Sequence, residues 1–184
     1  GCYFADAGNT FGNRNDLSRN TIIYGHNMHN VTTGPKDTLK FGALFKFVDF
    51  NNDGTIFGDD VASANDFSFA EEHPVIYFST TDDEMVWVIY AAYFTDLGFQ
   101  YHLENPDDAT FSAMIQEAKD RSRLDYDVDV NTSDRILTLS TCAYKYTDSV
   151  EKRDLRFVVQ ARLLRPGEEI PTSAKVSRNT DVKE

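Results

Sequence analysis

The chain has 184 residues, of which 41% are hydrophobic and 13% aromatic, enough to bury the core of one globular domain. Its formal net charge of -12 makes it a poor candidate for nucleic-acid binding, because a phosphate backbone is held by clustered Lys and Arg side chains. No run of about 18 apolar residues is present, so the sequence predicts no membrane-spanning helix.

Short segments rich in β-branched and aromatic residues predict strands along the chain. Segment 85–94 is apolar on both faces, which is typical of a strand inside a sheet. A turn-like segment at 81–84 joins it to the strand before it, so the two are predicted to form a hairpin. The predicted strands cover residues 21–24, 75–78, 85–94, 136–140 and 156–164.

Two helices are predicted between these strands. Apolar residues at helical spacing indicate a short helix at 37–48 and a longer one at 107–121. Asn105 is the predicted N-cap of the longer helix, with Pro106 at its first position. Many strands with two inserted helices predict a mainly β barrel or sandwich.

The sequence contains no internal repeat, low-complexity tract or interdomain linker. The strand pattern continues to about residue 165 and is broken by Pro166 and Gly167. We therefore predict one domain at residues 1–165, followed by a loose polar tail at residues 166–184.

Cys142 is the first candidate for chemistry. It follows the predicted strand 136–140 and lies among polar residues, where a thiol can be exposed and reactive. The other cysteine, Cys2, lies in a short apolar run, which is typical of a buried thiol. The sequence leaves a disulfide between the two open, but these contexts argue against it.

A histidine and an arginine also lie at strand ends. His26 follows the strand 21–24, and Gly25 is expected to let the backbone turn and aim the imidazole sideways. Arg156 begins the last strand and alternates with the core residues, so it is expected to point toward a rim. The other candidates are His29, His73 and His102, expected to be solvated or structural, and the competing Arg153 and Arg162.

Together, a cysteine, a histidine and an arginine can perform acyl transfer. A thiolate attacks a carbonyl carbon. An imidazole moves protons to and from amines, and a guanidinium stabilises an oxyanion or positions a peptide. We therefore expect Cys142, His26 and Arg156 to form one site.

Three short motifs resemble those of one enzyme family, the sortases. Residues 138–142 (TLSTC) resemble the sortase cysteine signature, in which Ser140 is typical of class B. Residues 23–27 (IYGHN) resemble the histidine motif, and residues 156–159 (RFVV) resemble the strand that carries the arginine. The order and rough spacing match too, and the helix predicted at 107–121 is similar to one that class B enzymes insert before the cysteine strand.

The resemblance implies a sortase-type β-barrel with two or more inserted helices, and a cysteine transpeptidase that requires no cofactor. Cys142 would attack the carbonyl of a Thr in a sorting signal of a secreted protein and form a thioacyl enzyme. An amine on a peptidoglycan precursor or a pilin lysine would then resolve it. By the same resemblance, His26 is the acid and base, Arg156 the oxyanion or positioning group, and Ser140 a substrate contact.

The resemblance also implies features outside this chain. Residues 1–9 resemble a segment well inside the family domain, so the family's N-terminal helix and first strands are expected upstream. The protein is expected at the extracellular face of a Gram-positive membrane, held by an anchor absent from this chain. Residues 143–154 are expected to form a longer loop than in relatives, with Tyr144 where some carry an acidic residue.

Residues 49–60 fit a calcium-binding loop of the EF-hand type. Oxygen-bearing side chains fall at positions 1, 3 and 5, Gly at 6, a backbone carbonyl at 7 and a carboxylate at 12. Position 12 holds Asp rather than Glu, so weaker binding is expected, and an Asx-rich turn is the alternative. The predicted calcium ligands are Asp49, Asn51, Asp53, Thr55 and Asp60.

Two other functions remain open from the sequence. A papain-like cysteine peptidase places its Cys before its His and on a helix N-terminus, which is not the order found here. A non-catalytic calcium-binding surface module would explain residues 49–60, but not the succession of His, Cys and Arg.

Overall fold

The computed structural model describes residues 2–30, 34–54, 56, 64–147 and 150–183. For residues 28–30, 34–39, 144–147 and 150–154 it describes the backbone only. Several residues named in the sequence analysis therefore lie outside the described side chains. They are His29, Tyr144, Arg153, and the Thr55 and Asp60 end of the predicted calcium loop.

Within the described residues, six strands form the main sheet and four form two small ribbons. The order in the main sheet is β1-β2-β8-β9-β6-β5, and the ribbons are β3-β4 and β7-β10. The strands are β1 (Phe4–Ala5), β2 (Asn20–Tyr24), β3 (Asn27–Asn30), β4 (Gly34–Lys40), β5 (Val75–Tyr77), β6 (Val86–Thr95), β7 (Leu124–Tyr126), β8 (Ile136–Thr147), β9 (Val150–Leu163) and β10 (Val176–Arg178).

The main sheet is antiparallel except where β2 pairs with β8 in parallel. The predicted hairpin is confirmed, because β5 pairs with β6 antiparallel. The mainly β class with inserted helices is also confirmed.

Three helical segments are inserted among the strands: a 3₁₀ helix at Phe41–Phe47, a short helix at Ser68–Glu72 and a long helix at Asp108–Arg121. The predicted helix at 37–48 is wrong in its first part, where the chain forms β4. Lys40 has a φ of 56°, outside the right-handed helical region. Regular secondary structure is therefore interrupted between β4 and the 3₁₀ helix. Within the described chain, no helix is both long and apolar enough to cross a lipid bilayer.

The long helix begins as the sequence predicts but uses a different cap. The Asp107 side chain accepts a hydrogen bond from the backbone N of Thr110 at 2.8 Å. The predicted cap Asn105 is wrong, because its side chain instead accepts from the backbone N of Arg19 at 3.1 Å. Asp107 is the residue that directly precedes the helix, where a carboxylate can reach the first free N–H groups.

The main sheet is buried on both faces, so it separates two apolar clusters. The long helix covers one face and contributes Phe111, Met114 and Ile115 to a cluster with Tyr90 and Val158. The other cluster contains Trp87, Ile89, Leu137, Phe157 and Val159. Nine of the ten residues of β6 are buried, which confirms the two-sided apolar strand predicted from the sequence.

The segment after residue 165 packs onto the domain, so the prediction of a loose tail is wrong. β10 pairs antiparallel with β7, with Val176 opposite Tyr126. The guanidinium of Arg178 lies 4.8 Å from the ring centroid of Phe50. Polar composition concealed this docking because the segment is held mainly through backbone pairing and one stacked arginine.

The prediction of a loop at residues 143–154 is also wrong. β8 continues to Thr147 and β9 begins at Val150, so the two strands extend as a hairpin beyond Cys142. The pairing shifts register between Ala143 and Lys145, directly after the cysteine. A register shift of this kind locally re-aims the strand, and such irregularities are common next to active sites.

Candidate active site

Cys142 and Arg156 face each other across two neighbouring strands. Cys142 on β8 is the direct partner of Arg156 on the antiparallel strand β9. Residues paired in this way point to the same face of a sheet, with their β-carbons about 5 Å apart. Both side chains are half-buried. The structure therefore brings these two predicted site residues together.

His26 lies just past the end of β2, on the other side of β8 from β9. β2 runs parallel to β8 with Tyr24 beside Ser140, and His26 and Cys142 each come two residues later. The backbone N of Gly25 donates to the Ser140 carbonyl at 3.1 Å, which continues the pairing past the end of β2. The His26 side chain is exposed.

Two side-chain hydrogen bonds hold the backbone around His26 against the cysteine strand. Thr141 Oγ1 donates to the carbonyl of Gly25 at 2.8 Å, in a buried position. Asn27 Nδ2 donates to the carbonyl of Cys142 at 3.1 Å. The residue before His26 is thus bonded to Ser140 and Thr141, and the residue after it is bonded to Cys142.

Ser140, the predicted substrate contact, lies two residues before Cys142 and is 1% exposed. Its hydroxyl shares a hydrogen bond of 2.8 Å with the hydroxyl of Tyr101. Burial raises the pKa of Tyr101; its hydrogen bond with Ser140 and the charge of Arg156 oppose this rise, and Cys142 adds to it. Tyr101 therefore contacts Ser140 and lies within electrostatic reach of Cys142 and Arg156.

Sequence reasoning missed Tyr101, which lies in the loop between β6 and the long helix, where no motif marks it. A buried polar chain fixes this loop to the sheet. Asn20 Nδ2 donates to the carbonyls of Tyr101 at 2.9 Å and Leu103 at 3.0 Å, and Asn20 Oδ1 accepts from Thr138 Oγ1 at 2.6 Å. The side chain of Gln160 in β9 then donates to Thr138 Oγ1 at 2.9 Å.

The competing arginine and histidines have other surroundings. Arg162 is buried and bonds Glu168 through two nitrogens at 2.6 and 2.9 Å, which commits it to a structural ion pair. His73 Nδ1 lies 2.8 Å from the carbonyl of Phe69, which agrees with its predicted structural role. His102 is exposed, as predicted.

Both cysteines are free. The prediction that Cys2 is a buried thiol is wrong, because Cys2 is exposed at the edge of the sheet before the two-residue strand β1. Its neighbours Tyr3 and Phe4 are 52% and 54% exposed, so apolar sequence there does not mean a covered position. Cys142 lies within a strand and not at a helix N-terminus, unlike the papain-like arrangement.

The calcium-type loop is described from Asp49 to Gly54 and at Ile56. The carboxylate of Asp49 accepts hydrogen bonds from the backbone N of Asp53 at 3.2 Å and of Gly54 at 2.9 Å. Gly54 has a φ of 89°, which favours glycine at this position. No cluster of three or more metal-binding His, Cys, Asp or Glu side chains occurs within the described part of the chain.

Comparison with known proteins finds similar proteins among the sortases of class B. A curated sortase B of Listeria monocytogenes is 33% identical over 165 residues, covering 89% of this chain and 54% of the relative. Among solved structures, a sortase B–substrate complex from Staphylococcus aureus superimposes with a TM-score of 0.64 at 26% identity, covering 91% of this chain and 63% of that one. A sortase B complexed with triglycine gives a TM-score of 0.65 at 26% identity, with coverages of 91% and 64%.

No protein-family model matches the chain. The chain spans just over half the length of the curated relatives that it matches. The likeness to the solved structures extends over the curled main sheet, which confirms the predicted barrel-type fold.

Proposed function

We propose that this chain, which belongs to the sortase family, is a class B-type cysteine transpeptidase. It cleaves a Thr-containing sorting signal of a secreted protein and transfers the new acyl end to an amine. The observation that carries this proposal is the direct pairing of Cys142 with Arg156 across β8 and β9, with His26 two residues past the end of β2, the other neighbour of β8. Together these three residues supply the groups that acyl transfer needs.

In the first half-reaction, the Cys142 thiolate attacks the carbonyl carbon of the substrate Thr. The C–N bond of the peptide breaks, and His26 in its protonated form gives its proton to the departing amine. The Thr acyl group is left as a thioester on Cys142. The exposed position of His26 suits this role, because the amine has to leave into solvent.

In the second half-reaction, an incoming amine attacks the thioester carbonyl. Neutral His26 takes the proton from the amine nitrogen, the C–S bond breaks, and the Cys142 thiolate is restored. The product is a new amide bond. A positioned imidazole that transfers the proton accelerates such steps by about 10²–10⁴-fold, so we expect His26→Ala to cost this factor.

Arg156 stabilises the oxyanion of both tetrahedral intermediates or fixes the substrate carbonyl. Its strand position opposite Cys142 puts the guanidinium on the same face as the sulfur. Ser140 has its hydroxyl beside the nucleophile, as the proposed substrate contact. This hydroxyl is buried and shares a hydrogen bond with Tyr101, so a substrate oxygen would reach it only after that bond opened.

The partners that we propose are a sorting-signal peptide and an amine of a peptidoglycan precursor or a pilin. Two structural relatives, one in complex with a substrate and one in complex with triglycine, support a peptide donor and an amine acceptor. We place the protein at the cell surface of a Gram-positive organism, because sortases are cell-surface enzymes of such organisms.

The test is mass spectrometry of the protein incubated with a short Thr-containing sorting peptide, with and without an amine. We expect a thioacyl adduct on Cys142 that the amine converts into a ligated peptide, and no adduct with Cys142→Ala. A folded wild-type protein that forms no adduct with a panel of sorting peptides, even when extended by its upstream segment, would contradict the proposal.

We also propose that residues 49–60 bind calcium weakly. The ligand spacing of the sequence supports this, and so does the φ of 89° at Gly54, the position where such loops turn sharply. We expect Ca²⁺ at millimolar concentration, but not Mg²⁺, to raise the melting temperature of the wild type. Asp49→Ala and Asp60→Asn should abolish this rise, and Asp82→Asn, an exposed carboxylate elsewhere, should retain it. An equal response of all four proteins would favour a simple Asx-rich turn.

A further inference from the structure

We infer that Thr141 and Asn27 act as positioning residues that hold His26 in register with Cys142. The inference rests on the proposed function, because it assigns the proton-transfer role to His26. Neither side chain transfers a proton or forms a covalent bond in the proposed reaction. Their role follows from where their hydrogen bonds end: on the carbonyl groups of Gly25 and Cys142.

The need for such positioning arises from the end of β2 at Tyr24, two residues before His26. Beyond that point, one backbone hydrogen bond, from Gly25 N to Ser140 O, remains to tie this segment to β8. No hydrogen bond from another described residue holds the His26 ring. The position of the imidazole therefore depends on how firmly Gly25 and Asn27 are held.

Thr141 holds the residue before His26. Its hydroxyl is buried, with 2% of the residue exposed, and donates to the Gly25 carbonyl at 2.8 Å. Successive side chains of a strand point to opposite faces, so Thr141 points away from the face of Cys142. It can therefore fix the chain at Gly25 without occupying the place of a substrate.

Asn27 holds the residue after His26. Its Nδ2 donates to the Cys142 carbonyl at 3.1 Å, while its Oδ1 is buried without a partner among the described residues. The opposite amide orientation would put two oxygens against each other. The amide oxygen of Asn27 is therefore left without a partner among the described residues, which costs free energy, while its nitrogen holds the backbone of Cys142.

The two bonds together form a clamp, defined here as Thr141 to Gly25 and Asn27 to Cys142. Loss of one bond would let the segment move relative to β8 by a fraction of an ångström or more. A misplacement of about 1 Å can reduce the rate of a catalysed reaction by about 10²-fold. We expect this loss in kcat, because both bonds of the clamp end on backbone carbonyl groups of the chain itself.

The chain offers a matched control for Thr141→Val. Thr21 in β2 is also fully buried, and its hydroxyl has no partner among the described residues. Thr21→Val therefore removes the same atoms from the same sheet without breaking a hydrogen bond. Thr141→Ser keeps the donor and should restore the behaviour of the wild type.

The deciding experiment is the pH dependence of alkylation of Cys142 by a neutral haloacetamide. The reaction is followed on the Cys142 peptide by mass spectrometry, because the exposed Cys2 also reacts. We expect His26→Ala to change the profile, and Thr141→Val and Asn27→Leu to move it toward that of His26→Ala. Thr21→Val and Thr141→Ser should retain the wild-type profile. With sorting peptide, kcat should fall about tenfold or more in both clamp variants, while KM stays within about twofold.

The outcomes separate the clamp from the function on which it rests. If the wild type never forms a thioacyl adduct, the proposed function fails, but the alkylation profiles still test the clamp without substrate. Profiles of Thr141→Val and Asn27→Leu that coincide with the wild type would overturn the inference. So would an unchanged profile in His26→Ala, because His26 and Cys142 would then not be coupled. If Thr141→Val does not fold, the alkylation profile of Asn27→Leu tests the clamp in its place.

Discussion

At the scale of single residues, Gly25 is under a tight steric constraint directly before His26. A β-carbon at this position would lie 2.5 Å from Cδ2 of Phe41 and 2.9 Å from Cδ1 of Tyr3. Gly25 is not among the glycines with positive φ, so the expectation that it frees a turn is wrong. Glycine is required here because an aromatic side chain lies directly against the backbone and leaves no room for a β-carbon.

We therefore predict that Gly25→Ala lowers the free energy of unfolding by about 1–3 kcal/mol, as overpacking of a buried site does. Urea unfolding followed by tryptophan fluorescence measures this. The double variant Gly25→Ala, Phe41→Ala no longer has the clash with the ring. Its loss of unfolding free energy should therefore be smaller than the sum of the losses in the two single variants. Additive costs would show that Phe41 does not oppose a side chain at position 25.

The placement of His26, Cys142 and Arg156 could be anticipated because each lies at the end of a predicted strand or within a recognisable motif. The position of Tyr101 could not be predicted, because its hydroxyl contacts that of Ser140, 39 residues away in the sequence. Such a contact exists only once the loop before the long helix is folded against β8. Periodicity and motifs carry no information on contacts of this kind.

At the scale of secondary-structure elements, a buried row of polar side chains joins the strands behind the site. Tyr90 of β6, Gln160 of β9, Thr138 of β8 and Asn20 of β2 are linked by successive hydrogen bonds of 2.6–2.9 Å. Asn20 is fully buried and its amide also holds the loop that carries Tyr101. The row thus connects four strands and one loop.

We predict that Asn20→Leu, which preserves volume, lowers the free energy of unfolding by about 2–4 kcal/mol. The reason is that the carbonyls of Tyr101 and Leu103 and the hydroxyl of Thr138 each lose a partner in a buried place. Urea unfolding measures the change, with the exposed Asn15→Leu as the control. A loss below about 0.5 kcal/mol would mean that water replaces the amide.

The strands of the main sheet were predictable because their burial leaves a continuous apolar pattern, as in β6. Elements held mainly by backbone pairing were not predictable. β10 has the sequence Val176-Ser177-Arg178 and a polar setting, and its strand conformation depends on β7 being beside it. β4 likewise depends on β3, so helical spacing at 37–48 was misleading.

At the scale of the whole molecule, one bidentate ion pair joins the N-terminal segment to the sheet. Arg14 Nε and Nη2 donate to the two carboxylate oxygens of Asp83 at 2.7 and 2.8 Å, and the Arg14 backbone N donates at 3.0 Å. Asp83 lies in the turn between β5 and β6, 69 positions away. The Thr80 hydroxyl adds a bond to the Gly12 carbonyl at 2.6 Å, so the segment between β5 and β6 holds both Gly12 and Arg14.

This ion pair makes part of the stability depend on pH. The hydrogen bond from Arg14 lowers the pKa of Asp83 from its ordinary value of 3.8 to about 2. A carboxyl group whose pKa is lower in the folded protein stabilises the fold fully above its unfolded pKa. That contribution is lost as the pH falls from about 4 through about 2. Asp83→Asn cannot ionise and has no such dependence.

We therefore predict that wild type and Asp83→Asn differ most in melting temperature above about pH 4, and that the difference shrinks steadily toward about pH 2. Thermal unfolding across this range in low salt measures it. The other carboxylates titrate in both proteins, so their effects cancel in the difference. Asp82→Asn removes a neighbouring exposed carboxylate without an ion pair to a described residue, so it should change the melting temperature less than Asp83→Asn does above about pH 4. A difference for Asp83→Asn that stays constant over the whole range would mean that Arg14 holds the segment through its backbone bond and not through charge.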